Sequence, residues 1–112
     1  MSNAIAKTIE GLRDRGGLRS VDVANITKVS KATVSRWSSG EYSPQPRTER
    51  VLSDLRYVVD RLSEFYSPDE IRIWLNSRND LLGGKRAIDL IHDGDTEVVL
   101  EAISRLGDMA YL

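Results

Sequence analysis

Apolar residues recur along this chain at helical spacing, and no segment keeps the strict alternation of a strand. Ile5, Ile9 and Leu12 fall at i, i+4 and i+7, predicting a first helix that stops at Gly16-Gly17. Ser20 is placed to cap a short second helix carrying Val23, Ala24 and Ile26. Ser30 is placed to cap a third, with Val34 and Trp37 on one face and Gly40 just beyond its end. The prolines of Ser43-Pro44-Gln45-Pro46 remove amide donors and fix φ, so that stretch reads as a stiff loop. The longest helix is expected over about 47–66, where Val51, Leu52, Leu55, Val58, Val59 and Leu62 form a continuous apolar stripe.

A second group of elements follows. Ser67-Pro68-Asp69-Glu70 combines a capping serine, proline at the first helical position and a glutamate able to reach back. Ile71, Trp74 and Leu75 continue that helix, and 76–79 reads as a turn. Asp80-Leu81-Leu82 ends at Gly83-Gly84, and a short helix is expected over about 86–92. Asp93-Gly94 breaks it, and Asp95 is placed to cap a last helix with Val98, Val99, Ala102, Ile103 and Leu106. The expected fold is all-α: an N-terminal module over 1–66 with the long helix as its spine, packed with a small helical domain over 67–112.

Composition narrows the chemistry. The chain's 112 residues, 40% apolar, suffice for one domain or for two halves sharing a core. Cysteine is absent, which excludes disulfides and thiolate metal sites and fits a cytoplasmic location. No apolar run approaches a membrane span, and the N-terminus lacks the apolar region of a signal peptide. Ser2-Asn3-Ala4 is compatible with a cloning remnant and carries no weight. The net charge of −1 hides an asymmetry: residues 1–50 hold nine Lys/Arg against five acids, leaving seven against twelve in the rest. A basic half joined to an acidic half suggests two kinds of partner.

His92 is the only histidine, so a histidine metal cluster is excluded, and the ring is expected to cap or to be solvated. Gly83-Gly84-Lys85 lacks the preceding strand, the glycine spacing and the Ser/Thr of a phosphate loop. Asp69 and Glu70 suit a helix start rather than a catalytic pair. No enzyme activity, cofactor or metal is expected.

Helices two and three with their turn make a helix-turn-helix candidate. Ala24 is small enough for a close crossing, and Val23, Val29, Val34 and Trp37 are placed to lock it. Lys28 stands where such turns usually hold a glycine with positive φ. Packing Val34 and Trp37 inward turns Lys31, Ala32, Thr33, Ser35 and Arg36 outward. With Ser30 at the helix start, these suit a major groove, where Arg bonds guanine O6/N7 in a bidentate way. Arg19, Lys28, Arg47 and Arg50 would flank them as phosphate contacts. The stretch "VDVANITKVSKATVSRWSSGEYSPQ" resembles the helix-turn-helix core of Xre/Cro-like repressors, most specifically in Thr33-Val34-Ser35-Arg36-Trp37 followed by Gly40.

The second half, "IRIWLNSRNDLLGGKRAIDLIHDGDTEVVLEAISRLGDMAYL", resembles the toxin-binding domain of the Xre/MbcA/ParS antitoxin family. Trp74, Asn79, Leu82, Gly84, Ala87-Ile88-Asp89-Leu90-Ile91, Gly94, Val98-Val99 and Leu106 carry the likeness, with alanine at 87 where the family often has proline. The resemblance implies a type II antitoxin that clamps a RES-domain toxin, one that consumes NAD+ or transfers ADP-ribose. It also implies repression of the shared operon, so operator DNA is the second partner, read by a homodimer or a larger complex with toxin. The last helix shows an apolar stripe too wide for one small core, and the tail Asp108-Met109-Ala110-Tyr111-Leu112 ends on apolar side chains suited to anchoring in a partner. Lys85 and Arg86 follow a flexible Gly83-Gly84 and suit acidic or nucleotide-binding features of that partner. A second reading stays open: a stand-alone regulator whose acidic half dimerises or senses a ligand.

Overall fold

The long amphipathic stretch around residue 55 becomes the helix on which most other elements rest. In the computed structural model, which describes residues 4–109, α4 spans Pro46–Leu62 and buries Val51, Leu52, Leu55, Val58, Val59 and Leu62. Ahead of it come α1 (Ala4–Gly16), α2 (Ser20–Thr27) and α3 (Lys31–Ser39). After it come α5 (Pro68–Asn76), α6 (Ala87–His92) and α7 (Thr96–Met109). The all-α expectation holds for the described residues, with one addition. Arg78–Asn79 (β1) and Lys85–Arg86 (β2) form a two-residue antiparallel ladder, in register Arg78 with Arg86 and Asn79 with Lys85.

Helix ends follow local capping chemistry, with two corrections. The Ser30 hydroxyl accepts from the Thr33 amide at 3.1 Å, as expected of a cap. Ser67 and Glu70 form a reciprocal box: Ser67 Oγ accepts from the Glu70 amide at 3.4 Å, and Glu70 Oε1 accepts from the Ser67 amide at 2.9 Å. Those bonds hold the Glu70 carboxyl below its usual range. Ser20 is not the cap of α2 but its first residue. Arg19 precedes the helix, and its amide donates to Asp22 Oδ2 at 2.8 Å, so the acid three positions on does what the serine was expected to do. The long helix stops at Leu62 rather than 66, because Glu64, Phe65 and Tyr66 turn back onto carbonyls of the last helical turn. Gly17 is required at its position: its φ is 62°, and a Cβ there would lie 2.9 Å from the Pro68 carbonyl oxygen, where α5 begins.

Both halves share one buried cluster. It runs from Ile5, Ile9 and Leu12 through Val34 and the α4 stripe to Ile71, Leu75, Ile91, Val99 and Ile103. α4 packs against α1 on one side and against α6 and α7 on the other. A polar clasp adds to this, with Thr96 Oγ1 donating to Asp54 Oδ2 at 2.9 Å. Leu55→Ala is expected to cost about 2–5 kcal/mol, the range for truncating a fully buried leucine. Because the core is continuous, the two halves should lose structure together. Buried Trp37 and half-buried Trp74 report on the two halves separately in single-tryptophan variants. Their urea transitions are expected to coincide with the loss of helical circular dichroism, and distinct midpoints would mean that the halves fold independently.

Candidate functional site

Two exposed surfaces carry the candidate residues. The first is built on α2, α3 and the start of α4. Lys28 sits in the turn between α2 and α3 with φ 61° and ψ 42°, the left-handed conformation anticipated for that position. Burial of Val34 and Trp37 leaves Lys31, Ala32, Ser35 and Arg36 exposed and Thr33 half-buried. Ser30 and Thr33 are occupied with each other, since their hydroxyls lie 3.0 Å apart in addition to the cap bond. Arg19 is exposed, with its Nε 3.5 Å from Asp22. Arg47 is exposed in the first turn of α4.

Sequence reasoning missed two partners here. The Arg36 guanidinium carbon lies 5.7 Å from the centroid of the Tyr42 ring. The only signal for it was an aromatic two residues after a helix-ending glycine. His92 caps, as expected, but it caps α2 rather than its own helix. It is half-buried, and its Nδ1 lies 2.8 Å from the Ile26 carbonyl, so the ring donates to a backbone group at the end of α2. It lines a small cavity of about 150 Å³ with Thr27, Arg47, Thr48 and Val51. Its partner is distant in the chain, and nothing near residue 92 signals it.

The second surface belongs to the segment after α4. The Asn79 side chain accepts from the Leu81 amide at 2.8 Å, and Gly83 and Gly84 both take positive φ, so the loop is folded on itself. Leu82 points into the core and Leu81 is exposed. Lys85 is exposed on β2. Arg86 is engaged: its Nε and Nη2 donate to the two Asp89 oxygens at 2.9 and 3.1 Å. That fork holds the Asp89 carboxyl below its usual range, opposed by slight burial and aided by the charges of Lys28 and Arg78. Val98 and Met109 leave apolar surface on α7, whose buried side holds Val99, Ala102 and Ile103. Asp108 is exposed and lines an open groove with Arg61, Glu64 and Phe65. Lys85 and Arg86 therefore sit on the ladder, and Asp108 and Met109 sit at the end of α7. Ala110, Tyr111 and Leu112, also proposed as contacts, lie outside the described residues.

Comparison with known proteins places this arrangement. Residues 65–107 match the antitoxin Xre/MbcA/ParS C-terminal toxin-binding domain. The mycobacterial cidal antitoxin MbcA of Mycobacterium tuberculosis (strain H37Rv) is 33% identical over 110 residues, covering 98% of this chain and 97% of that protein. The MbcA protein of Mycobacterium bovis matches to the same extent. In the crystal structure of the M. tuberculosis MbcT–MbcA toxin–antitoxin complex, a chain 32% identical to this one superposes with a TM-score of 0.84, over 99% of this chain and all of that one. Likeness over the whole length defines a class, the antitoxins of toxin–antitoxin systems. The chain belongs to the Xre/MbcA/ParS antitoxin family.

Substitutions at two positions test this geometry. Left-handed φ costs an ordinary residue about 1–2 kcal/mol, and glycine gives back about 0.4–1 kcal/mol through the unfolded chain. Lys28→Gly is therefore expected to stabilise the fold by up to ~1 kcal/mol and Lys28→Val to destabilise it. A lower urea midpoint for the glycine variant would show that the turn is not strained. For the Arg86–Asp89 pair, the folded carboxyl pKa is depressed. Its stabilising effect is thus present above the ordinary carboxylate range and lost as pH falls through the depressed value. Arg86→Ala should move the Asp89 titration upward in carboxyl-carbon NMR, and an unchanged midpoint would mean that the pair does not persist in solution.

Proposed function

We propose that this antitoxin neutralises a cognate toxin through the segment after α4, roughly residues 67–112, and represses its own operon through α2, its turn and α3. The observation that carries the first part is the whole-chain likeness to the antitoxin of a solved toxin–antitoxin complex. Apolar side chains left at the surface of the second half support it: Ile73, Leu81, Val98 and Met109 are each at least 37% exposed. Tyr42 and Tyr57 are exposed in the first half, but the large aliphatic and Met side chains left exposed among the described residues all lie in the second, which suits a partner surface there. The partner we read for it is a RES-domain toxin that consumes NAD+ or transfers ADP-ribose, its pocket obstructed by the antitoxin; the family resemblance supports that reading. Lys85 supplies a cation for that contact, since Arg86 is already engaged by Asp89. The end of α7 with Asp108 and Met109, and the residues beyond it, Ala110, Tyr111 and Leu112, form the inhibitory arm.

Operator binding rests on the outward face of α3. Lys31, Ala32, Ser35 and Arg36 share it, with Arg19, Lys28 and Arg47 exposed around it. Small, hydroxyl and basic side chains on one helix face suit base edges, and flanking cations suit phosphates. One such motif contacts few bases, so a homodimer or a larger complex with toxin would read the operator.

Growth rescue and gel shift separate the two activities. Co-expressed with the neighbouring toxin gene, the full chain is expected to restore growth. A chain ending at residue 106 should fail to restore it while still binding operator DNA. The double variant Lys31→Ala/Arg36→Ala should do the reverse, losing DNA binding at low salt and keeping rescue. Rescue by the truncated chain at the full level would show that the tail is not the inhibitory arm. A shift unaltered by the double variant would remove α3 as the reading helix.

A further inference from the structure

Arg36 acquires a neighbour from the way α3 ends. Gly40 takes φ 82° and reverses the chain, after which the amides of Glu41 and Tyr42 donate to the Arg36 carbonyl at 2.9 and 3.4 Å. The reversal brings residue 42 back to the residue the helix has just left, and the Tyr42 ring stands 5.7 Å from the Arg36 guanidinium carbon. That distance is within cation–π range. Burial does not explain the ring's position, because Tyr42 is 59% exposed. It lines an open groove of about 510 Å³ together with Thr33, Arg36, Trp37 and Pro44, so it belongs to the same surface as the outward face of α3.

Stacking on a ring engages the flat face of a guanidinium and leaves its N–H donors, which lie in the plane, available for a second partner. A bidentate bond to guanine uses those in-plane donors. A long side chain immobilised only on binding lowers affinity by its ordering cost, and a side chain held beforehand escapes part of it. We propose that Tyr42 is a positioning residue for sequence reading: its ring fixes the plane of the Arg36 guanidinium so that the edge meets a guanine with less ordering to be done. The proposal rests on the operator-binding reading of α3.

The test uses the full chain and a duplex that the wild-type protein enriches from a randomised pool. Binding is measured by fluorescence anisotropy for that duplex and for an unselected one. Tyr42→Ala is expected to weaken the enriched duplex about 2- to 10-fold, the ordering range of one long side chain. Tyr42→Phe, which keeps the ring face, should stay within about twofold of wild type. Neither should change affinity for the unselected duplex or the salt dependence, because no charge is lost. In an Arg36→Ala background, Tyr42→Ala should add nothing, the signature of a residue acting through another. Full loss persisting in that background, equal loss in the phenylalanine variant, or no loss in the alanine variant would each overturn the assignment. Failure of the underlying reading shows differently: the wild-type chain would enrich no sequence and would retain no duplex at low salt, and both proposals would then fall.

Discussion

Everything in this molecule hangs on the inner face of α4. Leu52, Leu55, Val58, Val59 and Leu62 are fully buried, yet one helix can bury so continuous a stripe only if other elements cover it from several directions. Here α1 closes one side while α6 and α7 close the other. The N-terminal helices and the C-terminal helices thus complete each other's core through a shared helix rather than meeting across a polar boundary. This suits a chain of 112 residues, where two separate cores would each bury too little apolar surface to offset the entropy of ordering the backbone.

A shared core leaves function to the outside, where the two halves differ in charge and in what they expose. The α2–α3 surface is rich in cations and exposes the Tyr42 ring. The second half is acidic overall and leaves Ile73, Leu81, Val98 and Met109 in view. Between them lies a polar seam. His92 on α6 donates to the Ile26 carbonyl of α2, and the Asp89 carboxylate on the same short helix feels the charge of Lys28 in the α2–α3 turn. The turn that sets the angle of α3 is therefore seated on the second half.

What the sequence revealed of this structure divides by the distance over which each feature is decided. Ser30, Ser67 with Glu70, Gly40 and the left-handed Lys28 were legible because caps and turns are settled within four residues. The α4 stripe was legible because helical phase repeats. Ser20 was misjudged as the cap of α2 because a capping box can be closed by the third residue's acid when the residue before the helix offers no acceptor. The end of α4 was overrun because Phe65 and Tyr66 prolong the apolar pattern past the last helical bond. The Arg78–Arg86 ladder is too short to have a period at all. The partners of His92 and Tyr42 were missed for one reason: each depends on a chain reversal or a tertiary contact that spacing does not encode. Outward phase on α3 was readable from Val34 and Trp37, whereas the neighbours of each outward side chain were not.

Those neighbours matter because they decide which candidate side chains are spare. Ser30 and Thr33 are tied to each other in the α3 cap, Arg19 leans on Asp22, and Arg86 is forked onto Asp89. Each must give up or share an internal bond before it can serve a partner, and a charged hydrogen bond given up costs more than a solvated side chain redirected. Lys31, Ser35 and Arg47 carry no such commitment in the geometry described above. Arg36 is a special case, since its neighbour is the Tyr42 ring, 5.7 Å away, which takes up none of its donors. The candidates sort themselves by this criterion. Residues with internal hydrogen bonds shape the two surfaces, whereas the uncommitted side chains can meet a partner without first giving up a bond.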